Sequence, residues 1–101
     1  MATTTKALFR GAATTTVTTT LYTVPASTTA VITNIVVVNT AGTAATFDLA
    51  LDGVKLATTQ AIAANSSAYF DMKQVLATTK IIAGGASATT VNFHISGVEI
   101  A

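Results

Sequence analysis

The chain of 101 residues contains no cysteine. Neither a disulfide framework nor a thiolate metal site is therefore open to it, and its fold must stand on packing and strand pairing. It has one histidine, His94, so a two-histidine metal pair is excluded and any acid–base role falls to a single imidazole. Charge is scarce: Asp, Glu, Lys and Arg make up 9% of the residues against 50% hydrophobic, with a net charge of +1. The basic residues Lys6, Arg10, Lys55, Lys73 and Lys80 stand singly. Proteins that follow a phosphate backbone concentrate such charge, so no nucleic-acid partner is expected. Long apolar runs are missing as well. The longest strongly apolar stretch is Ile35, Val36, Val37 and Val38, far short of the roughly 18 residues of a membrane-spanning helix. Met1-Ala2-Thr3-Thr4-Thr5-Lys6 lacks the apolar core of a secretory signal. The expectation is a single domain made in the cytoplasm, with no membrane partner.

The motifs of catalysis are equally thin. Asp48 and Asp52 fall on one face of an extended segment, but four residues at about 3.3 Å rise separate them by about 13 Å, beyond the spacing of a glycosidase pair. On this reading Asp48 is an exposed strand residue and Asp52 a turn former. Asp71 and Glu99 complete the acidic set, with no Asp-x-Asp-x-Asp loop to cage calcium. Ser66 and Ser67 sit in an Asn-Ser-Ser turn and Ser27 follows Pro25-Ala26, outside any Gly-x-Ser-x-Gly elbow. Gly84-Gly85 lacks phosphate-cradling spacing and reads as a turn before the last strand. The expectation is no enzyme, no cofactor and no metal.

What the chain does have is threonine and alanine, together about two fifths of its residues. Threonine is β-branched and favours extended backbone. Strands are expected over residues 6–10, 19–24, 30–39, 46–51, 68–72, 80–83 and 90–100; residues 58–64 form the one stretch with helical potential. Pro25 ends the second strand, Asn39-Thr40-Ala41-Gly42 closes the third, and Asp52-Gly53 favours a type I′ hairpin turn. Short strands punctuated every 8–12 residues or so point to an antiparallel β-sandwich or small barrel. Adjacent threonines point to opposite faces, which argues against a flat ice-binding ladder.

Alternation then sorts the faces. Phe47, Leu49 and Leu51 point to the core, and Asp48, Ala50 and Asp52 away from it. Val91, Phe93 and Ile95 alternate with Asn92, His94 and Ser96, but the apolar parity changes at Val98 and Ile100, which predicts a β-bulge at Gly97. Residues 35–38 show no alternation, as in a strand covered on both faces. Phe9, Tyr22, Phe47, Tyr69, Phe70 and Phe93 fit core packing better than a nucleic-acid stacking platform, with the tyrosines at an interface rim. A domain this small buries only about two thirds of its unfolded surface. Much of this apolar surplus is thus exposed on a monomer, and such patches mark contact surfaces.

The segments Leu21-Tyr22-Thr23-Val24-Pro25 and Val31-Ile32-Thr33-Asn34-Ile35-Val36-Val37-Val38-Asn39-Thr40 resemble a family of small virion structural proteins of tailed bacteriophages. Lys6-Ala7-Leu8-Phe9-Arg10-Gly11, Ala45-Thr46-Phe47, Leu51-Asp52-Gly53, Ile62-Ala63-Ala64-Asn65 and the ending from Val91 to Ile100 are similar to the same family, so the likeness covers most of the chain. It implies an all-β, jelly-roll-like single antiparallel sandwich, a homotrimer, on the outside of a virion. There it would contact major capsid or tail proteins, as a capsid decoration or a minor tail component in nearly equal measure. Residues 1–11 are expected to form an N-terminal arm or first edge strand and 12–101 the sandwich. Lys6, Leu8, Phe9 and Arg10 are the candidate docking residues; deleting residues before Gly11 is expected to release the protein from particles without unfolding it. The alternative is a host-surface carbohydrate-binding module of a tail or fibre, with exposed Tyr22 or Tyr69 beside Asp or Asn.

Overall fold

The computed structural model describes residues 3–101. Eight strands follow in order: β1 (Thr3–Ala12), β2 (Thr20–Thr23), β3 (Thr29–Asn39), β4 (Ala45–Leu51), β5 (Val54–Ile62), β6 (Ser67–Leu76), β7 (Ile81–Ala86) and β8 (Val91–Ile100). They form two four-stranded antiparallel sheets, β1-β8-β3-β6 and β2-β7-β4-β5. Every connection except β4 to β5 crosses from one sheet to the other. That strand order is the one a jelly roll has, so the chain has one hairpin within a sheet where the turn residues had suggested several.

The core lies between the sheets. Phe47, Leu49 and Ile82 from one sheet and Ile32, Ile35, Val37, Phe93 and Ile95 from the other are fully buried. Phe47 meets Phe70 and Phe93 edge to face at ring-centroid distances of 6.1 and 6.3 Å, the arrangement that aromatic quadrupoles favour. Leu51, expected in the core, packs partly buried against it. The β4–β5 hairpin turns at Asp52 and Gly53, whose φ values of 53° and 75° fit the expected type I′ turn.

Five local expectations are corrected. Residues 58–62 belong to β5 and are not helical. The strand escapes a period-two reading because its pairing with β4 shifts register twice, between Phe47 and Leu49 and between Leu49 and Ala50. Asp48 is buried at 8% exposure: its Oδ1 accepts the Thr59 N–H at 3.1 Å and its Oδ2 pairs with Lys55 at 3.2 Å. The carboxylate thereby ties down a bulge at which Thr59 takes a φ of 44°. Gly84 and Gly85 form no turn but lie within β7. A Cβ on Gly84 would stand 2.5 Å from the Asp48 carbonyl oxygen, and one on Gly85 2.5 Å from that of Thr16. The glycine pair thus marks close backbone approach, and the 13–19 loop fills the space over it.

The fourth correction concerns Gly97, which pairs in unbroken sequence with Ser96 and Val98 on β8. The extra residues sit on its neighbours, Leu8 on β1 and Thr33 on β3. Gly97 is buried on the core face, where a side chain would strike the Val31 carbonyl oxygen, and Leu8 occupies the space beside it. Val98 and Ile100 consequently stay on the outer face with His94 and Ser96. The threonine cluster of the 13–19 loop is likewise no strand: Thr14 and Thr19 hydroxyls both donate to the Thr16 carbonyl, at 3.0 and 2.8 Å, the local competition that makes such residues turn formers.

Tyr22 is buried, not at a rim, and its hydroxyl donates to the Glu99 carboxylate, which also holds Lys6 at 3.4 Å. Burial first, then the hydrogen bond and charge of Glu99, raise the Tyr22 phenol well above its ordinary value of 10.0. The unfolded chain ionises first as pH rises, so the stability this group contributes is complete below about pH 10 and is lost as pH climbs through the raised value. Tyr22→Phe is expected to cost about 1.5 kcal/mol near neutrality and to flatten the decline that sets in above about pH 10. Urea midpoints measured across that range check it.

Candidate functional site

Sheet registers place four residues in one row on the outer face of the first sheet: Arg10 opposite His94, His94 opposite Val36, and Val36 opposite Tyr69. Neighbouring rows carry Ser96, Asn34 and Asp71 on one side and Asn92, Val38 and Ser67 on the other. Tyr69 is 73% exposed, and Val36, Val38 and His94 are half-buried. The Val-rich run of β3 therefore divides, Ile35 and Val37 into the core and Val36 and Val38 onto a face that no other element of the described residues covers. Further along the same face Thr5, Val98, Val31 and Val75 form an apolar row across all four strands.

The four candidate docking residues separate. β1 is the outermost strand of its sheet and pairs with β8 from Thr3 to Ala12. Leu8 is buried at 7% exposure and Phe9 packs against the core, while Lys6 turns toward Glu99 and Arg10 faces outward in the row with His94. Met1 and Ala2 of the expected arm lie outside the described residues. Deleting the segment would strip a whole edge strand and uncover Phe93 and Ile95 of β8, so docking through it is probed by point substitution instead.

A second surface runs along the seam between the sheets. An open groove of about 440 Å³ lies between the β4–β5 hairpin and the end of β6, lined mainly by Leu51, Val54, Leu56, Gln74, Val75 and Leu76. Val54 and Val75 flank it at 70% and 68% exposure. Two of its polar side chains are engaged elsewhere, Lys55 with Asp48 and Asp52 with Lys80 at 3.8 Å, while Gln74 stays exposed on its wall. Among the described residues no three of His, Asp and Glu gather closely enough to hold a metal ion.

Sequence reasoning missed Asn39, read only as part of a turn. It is fully buried. Its Nδ2 donates to the Thr43, Ala63 and Ile62 carbonyls at 2.8, 3.3 and 3.5 Å, and its Oδ1 accepts the Ala41 N–H at 3.1 Å and the Thr90 hydroxyl at 3.4 Å. One amide thus joins the β3–β4 loop, the end of β5 and the approach to β8. The position of Asn39 directly before Thr40-Ala41-Gly42 was the available signal, since Asn side chains bond their own turn backbone.

What fold and surface define is an all-β sandwich with an uncovered sheet face, three long open edges (β1, β6 and β5) and an apolar seam groove. No protein-family model and no curated protein matches the chain. Among solved structures it is similar to a pentameric capsid protein isolated from metagenomic phage sequences, known in two crystal structures. One is 17% identical over 94% of this chain and 59% of that one, with a TM-score of 0.39; the other is 19% identical over 94% and 60%, with a TM-score of 0.40. The chain thus spans about three fifths of that protein's length. It is also similar to dimeric latent PorU from Porphyromonas gingivalis, at 12% identity over 97% of this chain and 9% of that one, with a TM-score of 0.34. Superpositions at this level assign neither a fold family nor a function.

Proposed function

We propose that the chain is a non-enzymatic structural protein of a bacteriophage virion, self-associating and attached to the outside of the particle as a capsid decoration or minor tail component. The observation that carries the self-association is the outer face of β3: Val31, Val36 and Val38, in rows with Val98, Tyr69 and Val75, face away from the core with none of the described residues packed over them. Apolar surface so placed on a small domain is a contact surface. The likeness of the Leu21 to Thr40 segments to tailed-phage proteins supports the virion setting and implies a trimer. Light scattering on the purified protein across a dilution series is expected to give a stable multiple of the monomer mass, a trimer on this reading. Labelled protein added to particles that lack it should then decorate capsid or tail. A monomer at every concentration overturns self-association, and failure to bind particles overturns the virion assignment.

A second reading has a specific observation behind it. Exposed Tyr69 lies in the row of Arg10, His94 and Val36, with Asn34 and Asp71 in the next row. An exposed aromatic ring flanked by planar polar groups on a sheet face suits a sugar, whereas Tyr22 is buried. Glycan-array binding that Tyr69→Ala abolishes would support it; an array with no bound glycan would remove it.

A further inference from the structure

The first sheet ends on two strands that have a ladder partner on one side only, β1 against β8 and β6 against β3. Each is ten residues long. An open edge of that length is a template for another strand. We propose that β1 of one copy pairs with β6 of the next, so that neighbouring copies of this chain join head to tail into one continuous sheet. The inference rests on the self-association proposed above and names the surface through which it occurs.

Direction, charge and face all fit this pairing. Strands alternate antiparallel from β1 through β8 and β3 to β6, so β6 runs opposite to β1 and would continue the antiparallel order when set beside it. Asp48, Asp52 and Glu99 each hold a lysine. Among the described residues Asp71 forms no ion pair, and neither does Arg10. Both lie on the outer face, Arg10 opposite His94 and Asp71 opposite Asn34. The β1 edge thus offers one unpaired cation, Arg10, and the β6 edge one unpaired anion, Asp71, on the same side of the sheet; Lys73, which also forms no ion pair among the described residues, lies two positions further along β6.

Setting Arg10 opposite Asp71 of the partner subunit places Ala12 opposite Tyr69 of the partner subunit and Phe9 opposite Met72 of the partner subunit. Leu8 is then passed as the bulge that it already forms against β8. Beyond it, Ala7 meets Lys73 of the partner subunit and Thr5 meets Val75 of the partner subunit. Outer residues meet outer residues throughout, and Phe9 and Met72, each packed on its own core, meet on the inner side. A slip of one residue would set outer against inner side chains at every pair. Among the described residues Tyr69 and Val75 are two of the four exposed large apolar side chains, and this register covers them with the small side chains of Ala12 and Thr5. The contact is heterologous, so it closes into a ring where the rotation between copies allows.

The absence of native cysteine makes the test direct. Thr5→Cys and Val75→Cys, both at exposed positions, are purified separately, checked for wild-type circular dichroism, and treated with a short bismaleimide alone and as an equal mixture. The expected result is a covalent dimer from the mixture and none from either variant alone. Dimer from Thr5→Cys or Val75→Cys alone would show two-fold β1–β1 or β6–β6 pairing and overturn the proposal. A wild-type protein that is oligomeric by light scattering, but whose mixed variants do not cross-link, overturns the edge pairing while leaving self-association standing; a wild-type monomer removes both. Charge reversal gives an independent readout. Arg10→Asp and Asp71→Arg are each expected to weaken association about tenfold or more, and the double reversal to restore it to within about threefold of wild type. Double-variant association as weak as that of the singles refutes the pair.

Discussion

Replacing Phe47 with alanine is expected to cost about 3–5 kcal/mol of folding stability, among the largest losses from a single core truncation in this chain. Phe47 is fully buried, and its ring bridges the two sheets by meeting Phe70 on β6 and Phe93 on β8. Removing it opens a cavity at the middle of the sandwich, where β4 and the opposing strands are held by ladder bonds and cannot easily collapse inward. The chain has no cysteine for a disulfide, and its described residues form no metal cluster to compensate. A domain of this size is stable by about 5–15 kcal/mol, so the variant should populate the unfolded state measurably at 37 °C. Urea unfolding followed by circular dichroism checks it; a midpoint within error of wild type would show that the two sheets do not depend on this ring.

The second large effect is expected at Asn39. Asn39→Leu leaves the buried Ile62 carbonyl and the part-buried Ala41 N–H and Thr43 and Ala63 carbonyls without their side-chain partner, at about 1–3 kcal/mol for a buried group left unmet and less for those that water can reach. Asn39→Asp separates the donor from the acceptor. Its carboxylate can still accept the Ala41 N–H, but at neutral pH it faces the carbonyl oxygens to which the native amide donates. Desolvation and those dipoles raise the introduced carboxyl above its ordinary value near 3.9. A raised acid is most stabilising while protonated, so the stability of this variant is complete below about pH 4 and is lost as pH rises through the folded value. The deficit of Asn39→Asp relative to wild type should therefore shrink from pH 7 to pH 4, whereas that of Asn39→Leu should stay constant. Equal deficits at both pH values would mean that the amide donates nothing the fold requires.

Much of the architecture was legible because burial on one face of a strand imposes period two. Phe47 and Leu49, and Val91, Phe93 and Ile95, are core residues as their alternation indicates, and Asp52-Gly53 turns the hairpin that its backbone preference demands. That turn also held the clue to the missing β5, since a type I′ hairpin requires a returning strand at once. The returning strand was hidden because its irregular pairing with β4 destroys the period. Gly97 misled for a related reason: a change of apolar parity marks a register shift somewhere in the sheet but not on which strand, and here Leu8 and Thr33 carry it. The surface was less legible than the core. Arg10, Val36, Tyr69 and His94 are distant in sequence and form a row only because β8 and β3 lie between β1 and β6, an order that no local pattern encodes. Asp48 looked exposed for the same reason, since its partners arrive from across a strand pair.

The position of β8 also governs how quickly this molecule can form. β1 and β3 do not touch one another in the ladder; each is joined to the sheet through β8, with Thr3 and Thr29 both opposite Ile100. Closing β1 onto β8 brings together residues at opposite ends of the chain, so the entropy of that long loop must be spent before the contact returns any stabilisation. A topology dominated by such distant pairings folds on the scale of roughly milliseconds to seconds, where a helical bundle of equal size needs microseconds to milliseconds. Until β8 docks, β3 can pair only with β6 and β1 has no partner at all. The slowest-forming part of the sheet is thus the strand whose open edge a second copy would use, and concentration during refolding bears directly on whether that strand first meets its own β8 or a neighbour.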